Sequence, residues 1–407
     1  MEVPFITPTD DFNVMMRRAV FALVIALMVF VSGCITVVQQ TETSSTTSHS
    51  TYPSTSPTPQ TTTTTTTTTP PATWTNPEVQ WNNLTVFLPS QDAQLNCSGV
   101  LWRYILKDAL PCMLSGPELE VISPLAAELK GATLEESAWN VLDWEGQWVT
   151  YDREKAKEPF AKIIIYPDGR QEVVEGQNNT IQTPYETIMR GKGICTDYTV
   201  LTDALLLAMN YSPVYAMGIN LTDLGHAAAL VRIDGWFFVL DQRLPPMDLG
   251  SYYRYWERQG SRVINATLYE IRPGNDLASV KTLGILRGED FLKQDYSMTE
   301  NDATALAYRM VGLLSEEFNL AVDNSLSLLS DGKLPEGYKS GKAWLVTYQN
   351  LADYYHPIFH EQYAEWLVGR ITSDEELLGD IEKSDAVWVE VKVEGNDLAV
   401  TLYLGEH

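Results

Sequence analysis

From about Trp81 onward the apolar positions follow two different periods. Residues 117–130 and 133–150 carry apolar side chains at helical spacing, the second stretch including Trp139, Trp144 and Trp148. Residues 162–174 read as two strands around a Pro167-Asp168-Gly169 turn. A helix is expected to begin at Cys195, with Leu201, Leu205 and Ala208 along one buried face. Two or three strands follow between Pro213 and Leu240, and two of them flank Asp234-Gly235, a favoured two-residue hairpin turn. From Thr299 to about Arg370 the pattern is mostly helical. The chain closes with a hairpin over 386–404, alternating Val387, Val389, Val391 and Val393 with Trp388, Glu390 and Lys392 before a turn at Gly395-Asn396. Helices, then strands, then helices predict an α+β fold rather than a doubly wound sheet.

The first 76 residues do not share this patterning. Ala19 to Val31 is an apolar run preceded by Arg17 and Arg18, the layout of a secretory signal. Val31-Ser32-Gly33-Cys34 resembles the lipobox of surface lipoproteins, which implies removal of residues 1–33 and lipidation of Cys34. The competing reading is an uncleaved membrane anchor, because Ala19 to Val38 is about the length a spanning helix needs. Either one holds the rest of the chain at the outer cell surface, as in an archaeal surface lipoprotein. Three acids precede Met15, which is unusual for a signal and points to a true start at Met15 or Met16. Between Thr41 and Thr73, 28 of 33 residues are Ser, Thr or Pro, so the segment has almost nothing to bury. It is expected to be a disordered, O-glycosylated stalk. The expected divisions are a signal over 1–33, a stalk over 34–76, a catalytic domain over 77–275 and a mainly helical region with a terminal hairpin over 276–407.

Charge and cysteine usage narrow the function. With 53 acidic and 28 basic side chains the formal net charge is −25, which argues against nucleic acid as a partner, since phosphate contacts need clustered Lys and Arg. Sequons at Asn83, Asn96, Asn178, Asn210, Asn220 and Asn265 fit an exported chain. Cys97 and Cys112 are 15 residues apart, and outside the cell they are expected to form a disulfide worth about 3 kcal/mol by loop entropy. Two separate buried thiols are the alternative.

Cys195 is left over, within Arg190-Gly-Lys-Gly-Ile-Cys195-Thr-Asp-Tyr198. Placed at a helix N-terminus, its thiolate is favoured by free N–H groups and the positive dipole end. The same N–H groups could hold an oxyanion. His226 opens the strand before Asp234-Gly235, and Asp241 ends the strand after it. If that turn is tight, His226 and Asp241 fall on one face as diagonal neighbours, a base with its orienting carboxylate. A one-residue bulge would destroy the relation.

These residues resemble the transglutaminase-like superfamily, whose motifs run Gly-x-Cys, His and Asp in that order. The match here is Gly193-Ile194-Cys195, Gly225-His226-Ala227 and Asp241, with Pro184 to Gly193 similar to the family's lead-in. One departure is Ala228, where many members carry an aromatic residue, and an altered groove beside the histidine is expected there. The resemblance implies a papain-like α+β core, with the nucleophile helix packed on an antiparallel sheet. It also implies acyl transfer: Cys195 attacks a protein or peptide amide, His226 moves the proton and Asp241 holds the imidazole. The expected product is that of hydrolysis rather than amine crosslinking, with no cofactor and no metal required. A catalytically silent surface module binding peptides or glycans is the alternative.

Two other features carry weaker chemistry. His356 and His360 share a helical face but lack a third ligand, and Pro357 suits a helix start over the core better than a metal site. The tryptophans at 139–148 are expected to pack in the core rather than line a groove.

Overall fold

The computed structural model describes residues 37–39, 77–97, 100–274 and 276–407. The expected signal, the lipidation site at Cys34 and nearly all of the stalk lie outside the described residues. Among those residues no helix is long and apolar enough to cross a membrane.

Helices lead, as the 3.6-residue pattern predicts. Helix α1 spans Leu106–Met113, α2 Gly116–Leu129, α3 Leu134–Trp148, α4 Pro184–Arg190 and α5 Cys195–Ala208. Between α3 and α4 the strands Lys162–Ile165 and Gln171–Glu175 pair around the Pro-Asp-Gly turn, with Gly169 at φ 84°. Lys162–Ile165 also takes Val37–Gln39 as a parallel neighbour along Ile163–Ile165. Cys97 and Cys112 form a disulfide with Cα atoms 5.9 Å apart, tying the extended segment before α1 to that helix.

A six-stranded antiparallel sheet follows. Its strands are β1 Val214–Leu221, β2 Gly225–Ile233, β3 Trp236–Leu240, β4 Met247–Asp248, β5 Val263–Arg272 and β6 Ser279–Arg287, in the spatial order β4-β3-β2-β1-β5-β6. Helix α6, Leu249–Arg258, links β4 to β5. The β2–β3 register runs Trp236↔Ile233, Phe238↔Val231 and Leu240↔Ala229 without a bulge. The tight turn arises because Asp234 and Gly235 both take positive φ, 49° and 89°, as this two-residue turn requires.

Side chains alternate across this sheet and feed two cores. Ala229 and Val231 face Leu201 and Leu205 of α5, while Ala228, Leu230 and Val239 face Tyr252 and Trp256 of α6. Trp139 and Trp144 are buried in the first core, and Trp148 packs at its edge. Ala228, the departure from the family's aromatic residue, is 1% exposed and packs in the second core.

The C-terminal part holds α7 Glu300–Phe318, α8 His360–Thr372 and α9 Glu375–Ile381. These pack against a second sheet of β7 Ala321–Val322, β8 Ser340–Tyr348, β9 Ala386–Glu394 and β10 Asp397–Glu406, in the order β7-β9-β10-β8. The closing hairpin turns at Gly395-Asn396 as expected. Strand β8 lies in a stretch expected to be helical. Paired strands β5 and β6 lie on either side of the boundary expected at 275–276, and one apolar cluster runs from Val79 to Leu404.

Candidate active site

The loop entering α5 is built by two glycines with different duties. Gly191 ends α4 at φ 59°, a left-handed position where an L side chain is strained. Gly193 gives close approach, since a Cβ there would stand 2.8 Å from the Asp197 Cβ. The main chain of this loop is pinned by Thr150 N–H to Gly191 O (2.9 Å) and Asp152 N–H to Gly193 O (2.8 Å).

Asp197 then locks the start of α5. Its carboxylate is fully buried and accepts from Ile194 N–H (2.8 Å), Gln182 N–H (2.8 Å) and Gln182 Nε2 (2.9 Å). Lys155 Nζ reaches both oxygens, at 2.8 and 2.6 Å. Cys195, 8% exposed, is therefore the first residue of a helix whose N-terminus is fixed from three sides. The Asp197 and Tyr198 amides donate to Ile194 O, at 2.9 and 3.1 Å, while those of Cys195 and Thr196 have no intrahelical acceptor. Tyr198 anchors the next turn by donating to Val149 O at 2.7 Å.

The hairpin supplies the other half. His226 Nε2 lies 2.9 Å from Asp241 Oδ2, with both side chains about nine-tenths buried. The phase inferred from the tight turn is therefore the one observed. Tyr252 donates its hydroxyl to the same oxygen at 2.9 Å, and Gln242 Nε2 donates to Asp241 Oδ1 at 3.0 Å. The Trp256 ring stands edge-to-face to the imidazole, 5.0 Å between centroids. With Nε2 directed to Asp241, the remaining ring nitrogen is left for Cys195, which is near enough to help keep the imidazole protonated.

Burial alone would drive the proton off His226. The charge and hydrogen bond of Asp241, with the contact to Cys195, more than offset this and raise the imidazole from 6.5 to about 10. Burial would likewise raise Asp241, but His226, Tyr252 and Gln242 together hold its carboxyl below the usual range. The imidazole is thus held as an imidazolium beside the Asp241 carboxylate, with the Cys195 sulfur close by.

Several residues here carried no assignment from the motifs. Asp197 stands in the quoted motif, and its position two residues after the cysteine was the available signal. Lys155, Gln182, Tyr252 and Trp256 come from distant segments with no local signature. Two buried acids lie nearby, Glu145 on α3 and Asp203 on α5: burial pushes Glu145 up to about 8 despite the Thr202 hydroxyl it accepts, and burial pushes Asp203 well above its ordinary value. His356 caps the short turn Pro357–Phe359 by accepting from Ile358 N–H at 3.2 Å, and His360 Nδ1 pairs with the Tyr355 hydroxyl at 2.8 Å. Among the described residues no group of three or more His, Cys, Asp or Glu could hold a metal ion.

This fold and this site define a transglutaminase-like protein, and residues 120–269 match the model of the transglutaminase-like domain family. Over most of its length the chain is similar to UPF0252 proteins of archaea. One from Pyrococcus furiosus is 32% identical over 304 residues, covering 74% of this chain and 85% of that protein. One from Archaeoglobus fulgidus is 33% identical over 312 residues, covering 76% and 90%. The chain belongs to the UPF0252 family. Among solved structures, LapG of Legionella pneumophila aligns at 15% identity over 36% of this chain and 80% of its own, with a TM-score of 0.22, too distant a likeness to bear on chemistry.

Proposed function

We propose that this protein is a cysteine acyl-transfer enzyme acting on a protein or peptide amide, with Cys195 as nucleophile, His226 as acid–base and Asp241 as orienting carboxylate. The observation that carries the reading is the buried His226–Asp241 pair, fixed by Tyr252 and Gln242, presented to a cysteine at a helix N-terminus. Cys195 sulfur attacks the amide carbonyl, and first-turn N–H groups of α5 receive the negative oxygen. The imidazolium gives its proton to the departing amine, leaving a thioester on Cys195. Water, deprotonated by His226, then attacks the thioester and releases the acid. An incoming amine would produce a crosslink instead, and hydrolysis is favoured because water is always present.

The extracellular, membrane-tethered setting belongs to the same proposal. Its supports are the Arg17-Arg18 and apolar run before Cys34, the six sequons and the Cys97–Cys112 disulfide.

The test is covalent labelling of the full chain with an iodoacetamide probe. Labelling at Cys195 that vanishes in Cys195→Ala and falls sharply in His226→Ala supports the enzyme. An unreactive Cys195 sinks it. The 8% exposure of Cys195 is the observation that favours a silent peptide- or glycan-binding module, and the same labelling separates the two. Product masses from a peptide library then distinguish cleavage, deamidation and amine incorporation.

A further inference from the structure

The chain leaves β3 through an unusual turn. Arg243 N–H donates to Asp241 O at 2.8 Å across Gln242, whose φ is 66°. This three-residue reversal projects Arg243 outward, and its side chain is exposed. Two hydroxyls feel its charge. One belongs to Tyr198, one helical turn beyond Cys195, and the other to Tyr255, the neighbour of the Trp256 ring on His226. The guanidinium is thereby close to the α5 turn that follows Cys195 and to the α6 residues packed on His226.

Four other cations of the surrounding segments have acidic partners. Lys155 is bound by Asp197, Lys192 reaches Asp152 at 3.4 Å, and Arg254 and Arg258 share Asp353. Asp241, two residues from Arg243, is occupied by His226, Tyr252 and Gln242. Among the described residues no carboxylate forms an ion pair with Arg243. In a chain with 53 acidic and 28 basic side chains, an arginine left without an acidic partner beside the reactive pair is available to a ligand. Its planar fork of N–H donors matches a carboxylate.

We propose that Arg243 is a specificity-determining residue that receives a carboxylate carried by the substrate next to the reacting amide. The inference rests on Cys195 being the nucleophile, and so deepens the functional reading above. It predicts preference for amides flanked by an acidic group over neutral ones of the same size.

Iodoacetate and iodoacetamide test it without a known substrate, because they differ by a carboxylate against a carboxamide. The full chain is treated with each reagent at one pH, and alkylation of the Cys195 peptide is followed by mass. The His226 imidazolium also attracts iodoacetate, but it is present in every protein compared and cancels in the comparison. Arg243→Gln is expected to lower the iodoacetate-to-iodoacetamide rate ratio roughly three- to tenfold, the effect of losing one partly exposed charge contact. Arg243→Lys should retain part of that ratio, and about 0.5 M salt should compress the wild-type preference. An unchanged ratio in Arg243→Gln, or an equal slowing with both reagents, overturns the inference while leaving the nucleophile intact. Failure of both reagents at Cys195 in the wild type overturns the functional reading and this inference with it.

Discussion

Tyr252→Phe isolates what holds the base in place. Tyr252 is 0% exposed, and its ring packs against Tyr255 and Trp256 with centroids 6.2 Å away in each case. The substitution keeps those contacts and deletes the hydroxyl, which is 2.9 Å from Asp241 Oδ2. A hydrogen bond to an ionised group is worth about 1.5–3 kcal/mol, but here the donor disappears with its own desolvation cost while His226 and Gln242 still serve the carboxylate. The net loss should be about 1–2 kcal/mol in urea unfolding at pH 7. The loss should also depend on pH. Tyr252 helps depress the Asp241 carboxyl below its ordinary 3.8, so its stabilisation is present above that value and fades as pH falls through the folded value. In an Asp241→Asn background the acceptor is neutral, and the cost of Tyr252→Phe should drop to roughly half. An identical cost in both backgrounds, or one independent of pH between 3 and 7, would refute the claim that the hydroxyl acts on the carboxylate's charge.

Four further outcomes follow from other parts of the same frame. Asp197→Asn leaves the Lys155 ammonium, 11% exposed, without its counter-charge and should cost about 3 kcal/mol or more in urea unfolding, whereas Glu154→Gln, in the exposed pair with Lys157, should change little. At the left-handed Gln242, Gln242→Gly should be more stable than Gln242→Ala by roughly 1 kcal/mol, because both lose the bond to Asp241 and only glycine escapes the strain. Removing the Cys97–Cys112 crosslink by double serine substitution should cost about 3 kcal/mol for its 15-residue separation, and a reductant should then shift the unfolding midpoint of the wild type only. Folded His226 keeps its proton up to about 10 against an ordinary 6.5, so its stabilisation is full below pH 6.5 and is lost as pH rises through 10; His226→Gln should flatten that decline in thermal melts.

The β2–β3 hairpin could be read ahead of the structure because Asp234-Gly235 permits a tight turn in which both residues take positive φ, which fixes every pairing along the ladder. The nucleophile helix was legible for a related reason, as its glycines and apolar periodicity act over a few residues. Strands β6 and β8 escaped because they are edge strands, exposed along much of their length; β6 displays no apolar alternation, and in β8 it is confined to Trp344, Val346 and Tyr348. The β5–β6 pairing across the expected boundary at 275–276 was missed with them, since an unrecognised β6 hides its partner strand. Tyr252 and Trp256 belong to the site only through tertiary packing of α6 on the sheet. Their four-residue spacing places them on one helical face, but nothing local indicates that His226 and Asp241 lie beneath it.

The site is a joint between two separately braced parts. Asp197 fixes the cysteine end through Lys155, Gln182 and Ile194, and Asp241 fixes the histidine end through Tyr252 and Gln242. The two carboxylates differ in kind, as Asp197 neutralises a lysine and caps a helix while Asp241 sustains the charge of its histidine. Neither set of hydrogen bonds spans from one end to the other. Beyond the contact of Cys195 with His226 itself, the spacing of the two ends is carried by apolar packing of Leu201 and Leu205 on Ala229 and Val231. Small side chains on β2 therefore have a role of their own: Ala227, Ala228 and Ala229 let α5 and α6 approach the strand closely from its two faces. The alanine run after His226, which reads as featureless in the sequence, lets the helix that begins at Cys195 pack close to the strand that carries His226.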